Sequence, residues 1–543
     1  MKGIAFMKRY IFFATVLLGA AFIPIKQARP QGAASPEKAL IDDLVVANRA
    51  LASEEIGFLD TAGHVSVRSP GNPNHFYLSR WIAPGIVTAK DVIEYDLDSK
   101  PIAGARRDQY LERYIHSEIY KARPDVNAIV HAHTPELVAF GVSSVPLSAY
   151  DRLRAGFVNL GLPNYDIRKY NNGRTGIIET AALGQELAKV LGNKQAVLLL
   201  GHGVVVVDPS LYGLVGRANA LRNDAKLQQQ AILLGPKLTY LDAAPAPARL
   251  AAAAPQRVIP SGTGGGAGGD RAWEYWKHNA LTELEAEAKG PKPPTGEVAK
   301  TRAELLEDLA RANRLLASKE MGVLDAFGHV SVRNPADPNH YFLSRYVSAG
   351  SVTPEGIIEY DLDSVPVGGA RTDNYQERFL HGEIYKARPD VMAVVHSHTP
   401  ELIAFGTSTV PLRPVDNGGT FIGTGLPLFD IRKFRTGQET IISTAPLGHA
   451  LAEVLGKKPA ALLLGHGAVL VDTSLYALVG RARGLRMNAR IEEQAIALGG
   501  TVSYLDTPPP PPPAPRDPNA PPRTTGEGGG RGWEYWVRIV SLR

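Results

Sequence analysis

The chain has 543 residues, 44% hydrophobic and 21% charged, with a formal net charge of +5 and no cysteine. That length exceeds the usual single domain, and the missing thiols exclude disulfides and thiolate metal ligands. Residues 1–34 hold five basic side chains (Lys2, Lys8, Arg9, Lys26 and Arg29) and no acid, so the remainder is formally neutral and offers no electrostatic footing for nucleic acid.

Segment 1–34 has the pattern of a signal peptide. Lys8 and Arg9 precede an apolar run at 10–22 that is short for a membrane span, and small residues end at Ala21 and Ala34 as alternative cleavage points. The expected location is secreted or periplasmic, with no stable membrane insertion once the signal is removed; an uncleaved anchor is the other reading. Further along, 36–54 spaces its apolar residues as a helix, and 112–122 suits another, stopped by Pro124. The apolar, β-branched runs 126–133 and 196–207 predict buried strands.

The chain then repeats itself. Residues 112–141 match 377–406 at 23 of 30 positions, "GHVSVR" at 63–68 recurs at 328–333, and "LLLGHG" at 198–203 recurs at 462–467. The offset is 265 upstream and 264 downstream, so the second copy is one residue shorter in a loop. Units of this length are duplicated domains, not solenoid repeats. The boundaries predicted are 36–245 and 300–507, each an α/β unit. A Gly/Pro-rich linker at 246–299 and a Pro/Gly-rich tail at 508–543 follow them, each closing on "WEYW".

Twelve of the 14 histidines fall into matched pairs, among them "HAH" at 131–133 with "HSH" at 396–398, and "GHG" around His202 and His466. Alternate strand residues share a face about 6.6 Å apart, so His131 and His133 suit one cation. Glycines beside His202 allow close approach. Three imidazoles with a carboxylate or water make a catalytic site for zinc or manganese, one metal per domain. A histidine on an apolar strand is more often a hydrogen-bonded core residue, but here the whole set recurs.

At these residues the chain resembles the class II aldolase/adducin family, the fold of fuculose- and rhamnulose-phosphate aldolases and of ribulose-phosphate 4-epimerase. The resemblance implies two tandem αβα-layered domains, each a central β-sheet flanked by helices. It implies divalent-metal ligands His131, His133 and His202 in one and His396, His398 and His466 in the other, with Glu112 and Glu377 as catalytic carboxylates. Glu118 and Glu383, six residues on, are taken as solvent-facing or salt-bridged.

In the family's asparagine–serine loop stand His64 with Ser66 and His329 with Ser331. Its phosphate loop reads Ser79–Arg80 and Ser344–Arg345. These are the predicted substrate-binding residues, and an arginine there suits a carboxylate better than a phosphate. The expected function is a secreted carbon–carbon lyase, cleaving an aldol or releasing carbon dioxide from a small hydroxylated, carboxylated molecule. A metal-dependent sugar epimerase and a non-catalytic adducin-like module are the other readings. Family aldolases take a proton from a tyrosine near a neighbour's C-terminus, which makes Tyr275 and Tyr535 of the "WEYW" segments candidates. Family rings are fourfold, so two chains are expected to close a homodimer as a pseudo-fourfold ring, with Trp273, Tyr275, Trp533 and Tyr535 docked over adjoining metal sites.

Overall fold

The computed structural model describes residues 35–148, 161–235, 269–289, 299–505 and 533–538. The predicted signal peptide, the Gly-rich stretch before residue 269 and the proline run lie outside them.

Two seven-stranded sheets carry the chain, with identical strand orders 3-2-1-4-7-6-5 and 10-9-8-11-14-13-12. The first is built from β1 (His64–Arg68), β2 (His75–Ser79), β3 (Val92–Asp96), β4 (Ala128–Ala132), β5 (Asn164–Tyr165), β6 (Ala196–Leu199) and β7 (Gly203–Asp208). All neighbours run antiparallel except β5 and β6. The second repeats this with β8 (His329–Arg333), β9 (His340–Ser344), β10 (Ile357–Asp361), β11 (Ala393–Ser397), β12 (Leu428–Phe429), β13 (Ala460–Leu463) and β14 (Gly467–Asp472).

Strand alternation sends successive side chains to opposite faces. Val130, Ala128 and Val65 pack beneath α1 (Pro36–Ala52), α3 (Pro135–Val142) and α5 (Leu211–Leu234). Ile129, Val205 and Val197 pack beneath α2 (Arg113–Ala122) and α4 (Ala181–Leu191). Both faces are thus buried, giving the expected three-layer α/β architecture, and the second half is built alike.

The helices expected at 36–54 and 112–122 form, and Pro135 opens α3 as predicted. Two expectations need correction. The run 196–207 is not one strand but the hairpin β6–β7, because Gly201 takes a positive φ of 63°. The linker at 246–299 holds α6 (Gly269–Lys289), a 21-residue helix whose Trp276 is buried against the first core.

The second half lies against the first. Ser503 and Ser144 exchange backbone hydrogen bonds with Val142 (2.7 Å) and Thr501 (2.9 Å). Val138, Ala139 and Val142 of α3 pack with Ile491 and Ala495 of the long helix Leu475–Ala497.

Candidate metal centres

Four elements deliver one cluster. Register pairs His64 of β1 with His131 of β4, which sets His131 on the face under α2. Glu112 opens α2, His133 stands just beyond β4, and His202 sits in the turn between β6 and β7. That turn comes close because Gly203 has no side chain: a Cβ there would collide with the Ala132 carbonyl. Glu112, His131, His133 and His202 bring their ligand atoms within 4.8 Å of one another, as do Glu377, His396, His398 and His466.

The imidazoles are oriented from behind. His131 Nδ1 meets the Val204 carbonyl at 3.1 Å, and His133 Nδ1 meets Asp60 at 3.0 Å. An Nδ1–H donated outward leaves the Nε2 lone pair facing the cluster. His131 Nε2 is buried and makes no hydrogen bond among the described residues. In the second cluster His398 Nε2 lies 3.1 Å from His396 Nε2 and 3.2 Å from His466 Nε2. Nitrogens bound to zinc at about 2.0–2.1 Å in tetrahedral geometry lie about 3.4 Å apart, so this donor set fits a divalent cation. Burial brings His202 and His466 down to about 4 and thus keeps them neutral, the ligating form. Against its own burial, His396 is pulled upward by Glu377, whose carboxylate stands 3.5 Å from its Nε2.

Glu112 approaches His202 to 3.3 Å and His131 to 3.7 Å, and accepts the Ile178 N–H. Glu377 does the same with His396, His466 and the Ile442 N–H. Glu118 and Glu383 bond Lys121 and Lys386 away from the clusters; they are salt-bridged and largely buried rather than solvent-facing.

Six of the eight predicted substrate residues are buried. His64 and Ser66 are fully buried in a chain that runs from His64 to His116 (2.7 Å), Ser66 (2.6 Å) and Tyr120 (2.8 Å). His329 and Ser331 repeat it with His381 and Tyr385. Ser79 and Ser344 are buried too. Alternation along β1 and β8 turns His64, Ser66, His329 and Ser331 toward the glutamate-bearing helix, with the His64 and His329 rings 5.3 and 5.4 Å from those of His131 and His396, whereas Ser79 and Ser344 share the opposite face with Tyr77 and Phe342. Arg80 is held by Asp91 at 2.7 Å. Arg345 is exposed, because the position matching Asp91 is Gly356.

A cavity of about 1060 Å³ opens over the first cluster, lined by Asp60, Glu112, His133 and His202, by Asp416, Arg483 and Met487 of the second half, and by Tyr535. Burial pushes the Asp416 carboxyl up to about 6. The second cluster is more open: His466 and Asp325 are 21% and 45% exposed, against 6% and 19% for His202 and Asp60. Of the two tyrosine candidates, Tyr535 lines the first cavity, whereas Tyr275 is 52% exposed and does not line it. Trp536, beside Tyr535 in the chain, lines that cavity, whereas Trp273 and Trp533 do not. Trp273 packs edge-on to Tyr212 and Trp533 to Tyr476 (5.0 Å), on the apolar layers of their own halves.

Sequence reasoning missed Asp60, Asp325, Asp416 and Arg483. The first two carried a signal, since "LD" recurs at 59–60 and 324–325 ahead of "GHVSVR". The last two come from the opposite half and carried none.

The family model described as Class II Aldolase and Adducin N-terminal domain matches residues 42–229 and 307–492. Decarboxylase tropJ of Talaromyces stipitatus is 32% identical over 233 residues, 40% of this chain and 88% of that protein. The 3,4-dihydroxyphthalate decarboxylase of Rhodococcus jostii is 28% identical over 209 residues, 36% of this chain and 83% of that protein. Among solved structures, the L-fuculose 1-phosphate aldolase of Glaciozyma antarctica matches at 22% identity and a TM-score of 0.34, covering 48% of this chain and 96% of that one.

Proposed function

The chain belongs to the class II aldolase and adducin family, and from that premise we propose that it is a divalent-metal-dependent decarboxylase of small hydroxylated aromatic acids. The observation that carries the reading is the convergence of three imidazoles and a glutamate in each half, with a buried His131 Nε2 left for a cation. Similarity to decarboxylases in the plural favours carbon dioxide release over aldol cleavage or epimerisation.

His131, His133 and His202 would hold one cation, and His396, His398 and His466 the other, with zinc or manganese as the fitting ions. A bound cation supplies Lewis acidity that polarises substrate oxygens. Glu112 and Glu377 stand beside the ligands, where each can take the proton of a substrate hydroxyl. When the carbon–carbon bond breaks, its electron pair stays on the ring carbon, which then needs a proton. Asp416 and Tyr535, which line the first cavity, would give it. Asp416 is half in its protonated form near pH 6, as a proton donor requires.

We extend the reading to assembly and location. Leu498 of the second half is buried on the first core, while its repeat counterpart Leu234 is 91% exposed. A second copy accepting Leu234 would cover the more open cluster and close a homodimer of four halves. The basic, apolar segment 1–34 then directs the protein out of the cytoplasm.

Metal-loaded full chain should release carbon dioxide from ortho-hydroxylated benzoic acids. The double variant Glu112→Gln with Glu377→Gln should lower the rate by ~10²–10⁴-fold and retain its metal. Cleavage only of sugar phosphates would replace this reading with the aldolase one. A monomer in light scattering would remove the ring.

A further inference from the structure

The arginines around the first cavity are committed, with one exception. Arg49 and Arg538 pair with Glu287, and Arg222 and Arg490 pair with Glu136. Arg483 lines the same cavity and, among the described residues, forms no ion pair, although Arg481, Arg486 and Arg490 on its own helix all do. Asp60, Asp416 and Tyr535 all lie within its field. Both carboxylates are already engaged: Asp60 accepts from Ala62, Gly63 and His133, and Asp416 from Gly419.

A guanidinium fork without its own counter-ion, facing a cation pocket, suits a planar carboxylate on the ligand. An arginine clamped on the reacting carboxylate would stabilise the starting acid and oppose loss of carbon dioxide, since only interactions stronger in the transition state accelerate the step. Arg483 is therefore better matched to a carboxylate that stays on the product. The repeat is asymmetric here. Leu485 and Arg486 match Leu221 and Arg222, but the counterpart of Arg483 on α5 is Asn219.

Resting on the decarboxylase reading, we propose that Arg483 reads a retained carboxylate, so the first centre takes a hydroxylated aromatic dicarboxylic acid and the second centre lacks that preference.

The test is calorimetric titration of metal-loaded full chain with two unreactive probes. One is 3,4-dihydroxybenzoate, whose carboxylate lies away from the diol, and the other is catechol. Wild type should bind one equivalent of 3,4-dihydroxybenzoate per chain at least 10-fold tighter than the second, with no such split for catechol. Arg483→Gln should weaken the tight step by roughly 10- to 100-fold, the scale of a lost charge-assisted hydrogen bond. Catechol affinity, metal content and Tm should stay within error, and Arg483→Lys should recover part of the loss. Two equal sites in wild type, equal weakening of both probes, or no weakening would each overturn the assignment. Arg483-dependent selectivity in a protein that decarboxylates nothing would sink the decarboxylase reading and leave the carboxylate site standing.

Discussion

The backbone N–H of Asn417 donates to the Gly201 carbonyl at 2.9 Å, fastening the second half to the turn that carries His202. Asn417 is also tied by its side chain to the Gly176 carbonyl at 3.0 Å. The first histidine cluster is therefore held by residues of both halves.

Metal stoichiometry is the most direct check on the clusters. Wild type should bind two divalent cations per chain by elemental analysis, matching the two donor sets. His131→Ala with His133→Ala should leave one, with an unchanged circular dichroism spectrum. Two ions in that variant would reject the first ligand set.

Asp60 and Asp325 should act through the imidazoles they orient at 3.0 and 3.1 Å. Replacing both with alanine should weaken metal binding by ~10–100-fold, the usual scale for a partner that orients a ligand. Competition with a fluorescent chelator measures this, and unchanged affinity would reduce both to loop-forming residues.

The tail divides into a packing part and a facing part. Trp533 is 1% exposed in the second core, so Trp533→Ala should cost about 3–5 kcal/mol in denaturant unfolding. Tyr535→Phe removes only the hydroxyl in the first cavity and should lower turnover more than 10-fold without moving the Tm. Full activity in that variant would assign the final proton to Asp416.

Acid should destabilise the fold through two buried histidines. Burial lowers His116 and His381 from 6.5 to about 3. Their folded pKa lies below the unfolded one, so between pH 6.5 and 3 the unfolded chain binds more protons. Their contribution is complete above pH 6.5 and is lost as pH falls toward 3. The Tm should drop across that window, and less steeply in His116→Gln with His381→Gln. An equal drop in that variant would place the sensitivity elsewhere.

The duplication, the α/β character, the H-x-H pair and the glutamate that opens α2 are legible in the residue pattern. These follow from local periodicity and from repetition, which need no knowledge of the chain's path. Tertiary structure alone decided that His202 lies in a turn, since one φ at Gly201 splits an unbroken apolar run. It alone turned His64 and Ser66 inward, because their face depends on the pairing of β1 with β4 across more than 60 residues. Tyr275 and Tyr535 sit in nearly the same words, yet one is exposed and the other lines a cavity. Identical segments fold alike locally, but what lies opposite them is fixed by packing between halves. Asp416 and Arg483 reach the first centre for that reason, and no spacing within either copy points to them.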